Sequence, residues 1–381
     1  MTSPKSIISR RHWLSSASLI AATVAMPCIA QPSKSATLKN TVIAQVIDNS
    51  PSQQDVSRDF LVGSRAAWQD INLKGGLHGR QIQHMTLETD GTTSSLRAAL
   101  DAIKGNRSCL VMSGTAGDSL ATQLVVEARQ LGLKMAHVAP WLQNSNLELD
   151  EQIFPIFAAR QEQIVHALKS LSVMGLSELG VIYGAPQDQS LYQAEVQRIA
   201  ASLQLKLQAF QAGGELRLLG QKMTARTPAI LLFVGGTPEL AEFTQGLEKQ
   251  ARQRYVVALA DVNLQTLLQM GAARNTPIIA TQPVPPVNSS AAVVRSYRET
   301  LARLFDEPPT ALSLAGFIAA RYTYEVLNDV DGVLTRQTAL AAFQKRSMLD
   351  LGGFRISFNA QRRSSTYVTQ TMMALDGRLI G

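Results

Sequence analysis

Between Thr41 and Glu88 the chain reads as strand, helix, strand. Thr41 to Asp48 is an apolar run with β-branched residues, which suits an extended segment. Phe60, Ala67, Trp68 and Ile71 then fall on one face at helical spacing, while Arg65, Gln69 and Asp70 fall elsewhere on the turn. Gly75-Gly76 stops that helix, because glycine accepts the left-handed backbone that helix ends demand. Gly79 closes a tight turn, and Gln81 to Glu88 resumes as a strand with a poor period. A strand, a helix and a second strand make the building block of a parallel sheet.

The pattern then repeats. Short apolar runs recur at Cys109–Met112, Lys134–Ala139, Gly180–Tyr183, Ala229–Val234, Tyr255–Leu259 and Pro277–Ala280. Continuous rather than alternating apolar character suits strands buried on both faces. Helical segments separate them: Leu96–Asn106, Ser119–Leu131, Gln161–Met174, Asp188–Leu203, Glu239–Ala251 and Asn263–Met270. Ser119, Asp188 and Thr237-Pro238 are read as caps. This alternation predicts a doubly wound α/β architecture, and 381 residues are too many for one ordinary core, so two domains are expected.

The N-terminus reads as an address. Ser9-Arg10-Arg11-His12-Trp13-Leu14 resembles the twin-arginine export signal, with an apolar stretch to Met26 and a small-residue cleavage site at Ala30. An ordinary secretory signal with a chance arginine pair is the alternative. Cys28 also invites a lipoprotein reading, in the poor context of Met26-Pro27. Loss of residues 1–30 removes three of 36 basic residues and no acid, so the formal charge falls from +7 to +4. That weak, evenly spread charge gives no argument for nucleic acid. Only Cys109 would survive cleavage, which excludes an intramolecular disulfide, and its apolar neighbours make it a core residue.

Catalytic signatures do not appear. There is no Gly-x-Ser-x-Gly elbow, no phosphate loop and no His-Glu-x-x-His. The five histidines are scattered without metal-ligand spacing, and His137, in a presumed strand, reads as a core residue. No enzyme activity, metal or cofactor is expected.

The stretch Asp70-Ile71-Asn72-Leu73-Lys74-Gly75-Gly76-Leu77-His78-Gly79-Arg80, one helix after the first strand, resembles the first lobe of the periplasmic branched-chain amino-acid-binding proteins. These are type I periplasmic binding proteins, the substrate-binding proteins of ABC transporters, and the order of elements to the C-terminus agrees with them. The resemblance implies two doubly wound parallel-sheet lobes joined by three hinge crossings, with a ligand cleft between them. Lobe I would take residues 37–154 and 284–350, and lobe II residues 155–283 and 351–381. The crossings are placed at Gln152–Phe157, at the proline-rich Gln282–Val287 and at Leu349–Phe354, with Phe354–Phe358 and Tyr367–Ala374 completing lobe II. It also implies a monomer in the periplasm that hands a small molecule (an amino acid, amide or small organic acid) to a membrane permease and ATPase. A sensor of the same fold feeding a signalling receptor is the alternative.

Ligands of open α/β sheets bind beyond the carboxyl ends of strands, where helix N-termini offer free amides. Gly114–Ser119 is such a loop, and the family's counterpart holds a ligand carboxylate with amides and serine hydroxyls. Here Asp118 stands where a serine is expected, beside Ser119. Asp118 then either turns away as a helix cap or meets a ligand that is not a simple carboxylate. Ala139-Pro140-Trp141-Leu142-Gln143 replaces the family's Ser-Pro-Gly-Ala-Thr, so Trp141 or Gln143 takes the ligand-facing place. Trp141 is expected to line the cleft, against the alternative that it plugs a gap in the packing, and Trp68 is expected inside lobe I. In lobe II the resemblance places the aromatic contact near Asp188, the glycine pair at Gly235-Gly236-Thr237 and the ammonium-binding acid at Asp261. A surface role is the alternative for each of these, and the replacements weaken any claim that the solute is leucine.

Overall fold

The computed structural model describes residues 41–380 except 211–214, 249, 272–274, 365–366 and 375–377. The export signal read over residues 1–30 lies outside the described residues. Strand β1 (Thr41–Asp48) is buried along its whole length, and helix α1 spans Gln54–Leu73. Gly75 and Gly76 take positive φ (109° and 71°), so the helix stops where the glycines stand. Strand β2 (Ile82–Thr89) pairs with β1 in parallel, from Thr41 beside Ile82 to Asp48 beside Thr89. Its poor period follows from its place at the sheet edge, where one flank is open to water.

The motif between β1 and β2 is scaffolding. The Asn72 amide donates to the Ile82 carbonyl and accepts from the Ile82 N–H, both at 2.8 Å. Asp70 is buried and accepts from Lys74 at 2.6 Å and Arg303 at 2.5 Å. Burial would raise its pKa, but those two cations outweigh it and hold the carboxyl below its usual value.

Next come α2 (Thr93–Gly105), β3 (Cys109–Ser113), α3 (Asp118–Gln130), β4 (Ala136–Val138) and β5 (Ile153–Phe154). The first five strands form an all-parallel sheet in the order β2-β1-β3-β4-β5. The chain then runs through α4 (Arg160–Val173), β6 (Glu178–Tyr183), α5 (Pro186–Ser202), β7 (Lys206–Phe210), α6 (Leu216–Gln221), β8 (Ile230–Val234), α7 (Thr237–Leu247), β9 (Tyr255–Ala258), α8 (Leu264–Gln269) and β10 (Ile278–Gln282). After the proline-rich crossing come α9 (Ala292–Leu304), α10 (Ala311–Asn328), α11 (Arg336–Gln344), β11 (Leu349–Asp350) and β12 (Arg355–Ile356). Strands β13 (Thr369–Met373) and β14 (Leu379–Ile380) close the chain. The second sheet has the order β14-β13-β10-β9-β8-β6-β7, and β13 lies antiparallel to β10.

Helices α9 and α10 return to pack on α1 over the first sheet. Phe60, Trp68, Phe157, Tyr297 and Phe317 share that core, while the two faces of the second sheet carry separate apolar clusters. Cys109 lies in the core on the other face of the first sheet, and burial pushes its thiol up to about 11. One expected strand is misplaced. Phe354–Phe358 does not join the second sheet: Gly352 and Gly353 turn back at φ 82° and 102°, and β12 pairs with β11. Phe354 and Ile356 pack into the first core, so the third passage between sheets follows Ile356 instead of falling at Leu349–Phe354. Among the described residues no helix is long and apolar enough to cross a membrane.

Candidate functional site

Each sheet reverses its strand order once, between β1 and β3 in the first and between β6 and β8 in the second. Loops leaving adjacent strands at such a point depart to opposite faces and leave a crevice beyond the strand ends. The two crevices face each other across one cleft of about 510 Å³. Ser50, Ser52 and Gln53 (after β1) and Asp118 and Ser119 (after β3) form one wall; Asp188 (after β6) and Gly235, Gly236 and Glu239 (after β8) form the other.

At its inner end sits Arg160, the first residue of α4 and only 5% exposed. Its guanidinium donates to Asp261 and, at 3.5 Å, to Asp118, lies 4.0 Å from Asp188 and stacks 4.2 Å from the Tyr192 ring centroid. Asp118 also accepts from the backbone N–H groups of Gln143 (2.7 Å) and Asn144 (2.9 Å) and from the Tyr192 hydroxyl (3.4 Å). Burial raises the Asp118 pKa, and Arg160 opposes the rise. Burial also lifts Asp188 to about 6, again against Arg160. Burial alone would make Arg160 less basic, yet Asp261 and Asp118 together make it more so. Arg160 is a fixed cation shared by both walls.

The expected site residues divide into two groups. Asp118, Ser119, Asp188 and Asp261 all line the cleft. Trp141, Gln143 and Thr237 do not. Trp141 is fully buried, edge-on to Phe60, and its indole N–H donates to Asp261 at 3.0 Å. Its size is used to fill the gap beneath the loop, and its polar edge meets the acid from the other sheet. Gln143 is buried and accepts from the Gln163 amide, which in turn accepts from the Ala260 N–H at 2.9 Å. Thr237 donates to Asp55 at 2.6 Å and accepts from the Asn263 N–H at 2.9 Å.

Nor are Ser119, Asp188 and Thr237 the caps of their helices. The cap positions are Gly117, Ala185 and Gly236, none with a side-chain bond of its own, and the three polar residues lie inside the first turns. Asp188 still serves the helix end by accepting from the Ala185 N–H at 3.2 Å. Asp118 is neither the cap expected of it nor free toward a ligand, because its charge is spent on Arg160 and the 143–144 amides. His137 is a core residue, as expected, 2.8 Å from the Thr115 hydroxyl.

A sequence model of the periplasmic binding protein family matches residues 41–375. The chain belongs to that family. Among curated proteins no sequence match is found. Among solved structures, an extracellular ligand-binding receptor from Verminephrobacter eiseniae superposes with a TM-score of 0.79 at 18% identity, covering 90% of this chain and 100% of the other. A branched-chain amino acid transporter substrate-binding protein from Streptococcus pneumoniae, solved with isoleucine, gives 0.77 at 14%, covering 90% and 98%. A fatty acid ABC transporter substrate-binding protein from Thermomonospora curvata gives 0.76 at 12%, covering 90% and 91%. At such identities the likeness establishes the fold, which is that of the type I periplasmic binding proteins.

In this periplasmic binding protein Arg160, Tyr192 and Glu239 were missed by sequence reasoning. Arg160 had one signal: it is the first charge after the apolar run Ile153–Ala159 that leaves β5. Tyr192 and Glu239 had none, because their approach to the cleft depends on how the second sheet faces the first. The arrangement offers acceptors and donors for holding a polar molecule.

Proposed function

We propose that this chain is an exported solute-binding protein that captures a small molecule between its two halves and delivers it to the permease and ATPase of an ABC importer. The observation that carries this reading is the pair of strand-order reversals facing one cleft, which is how an open α/β sheet builds a ligand site. The cleft's volume of about 510 Å³ suits a metabolite-sized ligand. The halves divide near residues 154, 283 and 356, and their rotation about those passages closes the cleft. Binding, with no bond made or broken in the ligand, is the whole of the chemistry. The chain works in the periplasm after losing residues 1–30, and the intact mass of the secreted form tests that cleavage. Native mass spectrometry of protein purified from its own host should find a bound small molecule, and small-angle scattering should show the radius of gyration fall when that molecule is returned to stripped protein. No bound molecule, together with no compaction by any of a broad metabolite panel, would reject the reading.

A further inference from the structure

The solute's charge can be read from how the cleft treats its helix ends. A helix N-terminus carries roughly half a positive charge and is the usual anion-binding device of such a fold. Of the helices whose N-termini reach this cleft, three place a first-turn acid on its wall: Asp118 in α3, Asp188 in α5 and Glu239 in α7. A carboxylate at such a helix end offsets its half-positive charge, although that of Asp118 is also engaged by Arg160. Among the described residues Asp48, Asp90 and Asp261 also line the cleft, and Arg160 is its one basic lining residue. That cation is already engaged by Asp261 and Asp118, with Asp188 at 4.0 Å. An incoming carboxylate would find Arg160, the one cation among the described lining residues, already engaged, in a cleft lined by six acids.

Hydrogen-bond accounting gives an independent indication. Among the cleft-lining residues the buried side-chain atoms with no partner are two acceptors, Glu239 Oε2 and Gln53 Oε1, and one donor, Arg160 Nε. Buried acceptors without donors cost stability, so the bound state has reason to supply donors. Among the described residues no three acids or histidines converge to hold a metal ion, which separates an organic cation from an inorganic one.

We infer that the solute is an organic cation bearing N–H donors (an amine, amidine or guanidine) and no carboxylate or phosphate. This rests on the reading of the cleft as a solute site. Calorimetry and small-angle scattering on the mature protein, with pairs sharing one skeleton, test it: agmatine against arginine, cadaverine against lysine, and cadaverine against glutarate. The carboxylate-free amine of each pair should bind about tenfold or more tightly, lose affinity with added salt and compact the protein. Glu239→Gln, at a half-exposed wall position, should weaken the amine about tenfold, and Asp188→Asn provides a second variant should the first fold poorly. Equal or tighter binding of arginine, lysine or glutarate would overturn the charge assignment alone. So would compaction by neutral or acidic metabolites from a broad panel with none by amines. A panel in which nothing binds would overturn the solute-binding reading itself, and the charge assignment with it.

Discussion

A guanidinium held between carboxylates away from water stabilises a fold only while every partner is present. Replacing Arg160 by methionine leaves Asp118 and Asp261 facing each other in a buried site. Arg160→Met should therefore lower the unfolding free energy by about 3–5 kcal/mol at neutral pH. Urea denaturation measures it, and the deficit should shrink in acid as the carboxyls protonate. Asp188 makes a separate prediction. Its folded pKa of about 6 lies above the unfolded value, so its contribution is fully present below the unfolded pKa and is lost as pH rises through about 6. Asp188→Asn should remove that loss. Wild type should fall relative to the variant by roughly 1–3 kcal/mol between about pH 4 and pH 6, and the gap should stay constant above. A pH-independent gap would show that the Asp188 carboxyl does not shift on folding.

Helices α1 and α10 meet backbone to backbone. A Cβ on Gly63 would stand 1.7 Å from the Ser313 carbonyl oxygen, and one on Gly316 would stand 1.9 Å from that of Phe60. No rotamer change relieves a clash with main chain, so the helices would have to move apart across the first core. Gly316→Ala should cost about 3 kcal/mol or more, at the upper end of overpacking penalties. Gly105, the last residue of α2, has no atom within 4 Å of its would-be Cβ. The same change there should stabilise by about 0.4–1 kcal/mol, because alanine loses less freedom on folding. Urea midpoints of the two variants should move in opposite directions. Strand–helix alternation and the stop at Gly75-Gly76 were legible because spacing and glycine act within a few residues. The crossing at Gly63 and Gly316 was not, since nothing local separates a packing glycine from a permissive one.

The two halves are tied by side chains from opposite sheets. Trp141, after β4, donates to Asp261, after β9, and Thr237 and Asn263 donate to Asp55 and Asp59 of α1 at 2.6 and 2.9 Å. Opening of the cleft has to break such contacts, so the Trp141 indole should report the hinge although it does not line the cleft. With residues 1–30 removed, as proposed, only Trp68 and Trp141 remain, and Trp68 is packed inside the first core. Emission should shift whenever a ligand or a denaturant below the unfolding midpoint alters the hinge. Trp141→Phe should abolish that shift, and Trp68→Phe should keep it. A shift that survives in Trp141→Phe would place the hinge contact elsewhere.

Periodicity, glycine stops and the resemblance of Asp70–Arg80 were enough to derive two doubly wound sheets and a cleft at their strand ends. Each of those signals is read over neighbouring residues. The sequence also placed Asp118, Ser119, Asp188 and Asp261 on loops or helix starts beyond strands, because strand order turns such positions into cleft walls. What the acids face was decided only by tertiary structure. Arg160 lies 42 residues from Asp118 and 101 from Asp261, and Trp141 lies 120 from Asp261. Packing two sheets together sets those pairings. Once packed, the low-dielectric interior makes an unpaired charge too costly to leave, so Arg160 is drawn to its acids, while burial of its apolar ring against Phe60 and Phe157 takes Trp141 into the core.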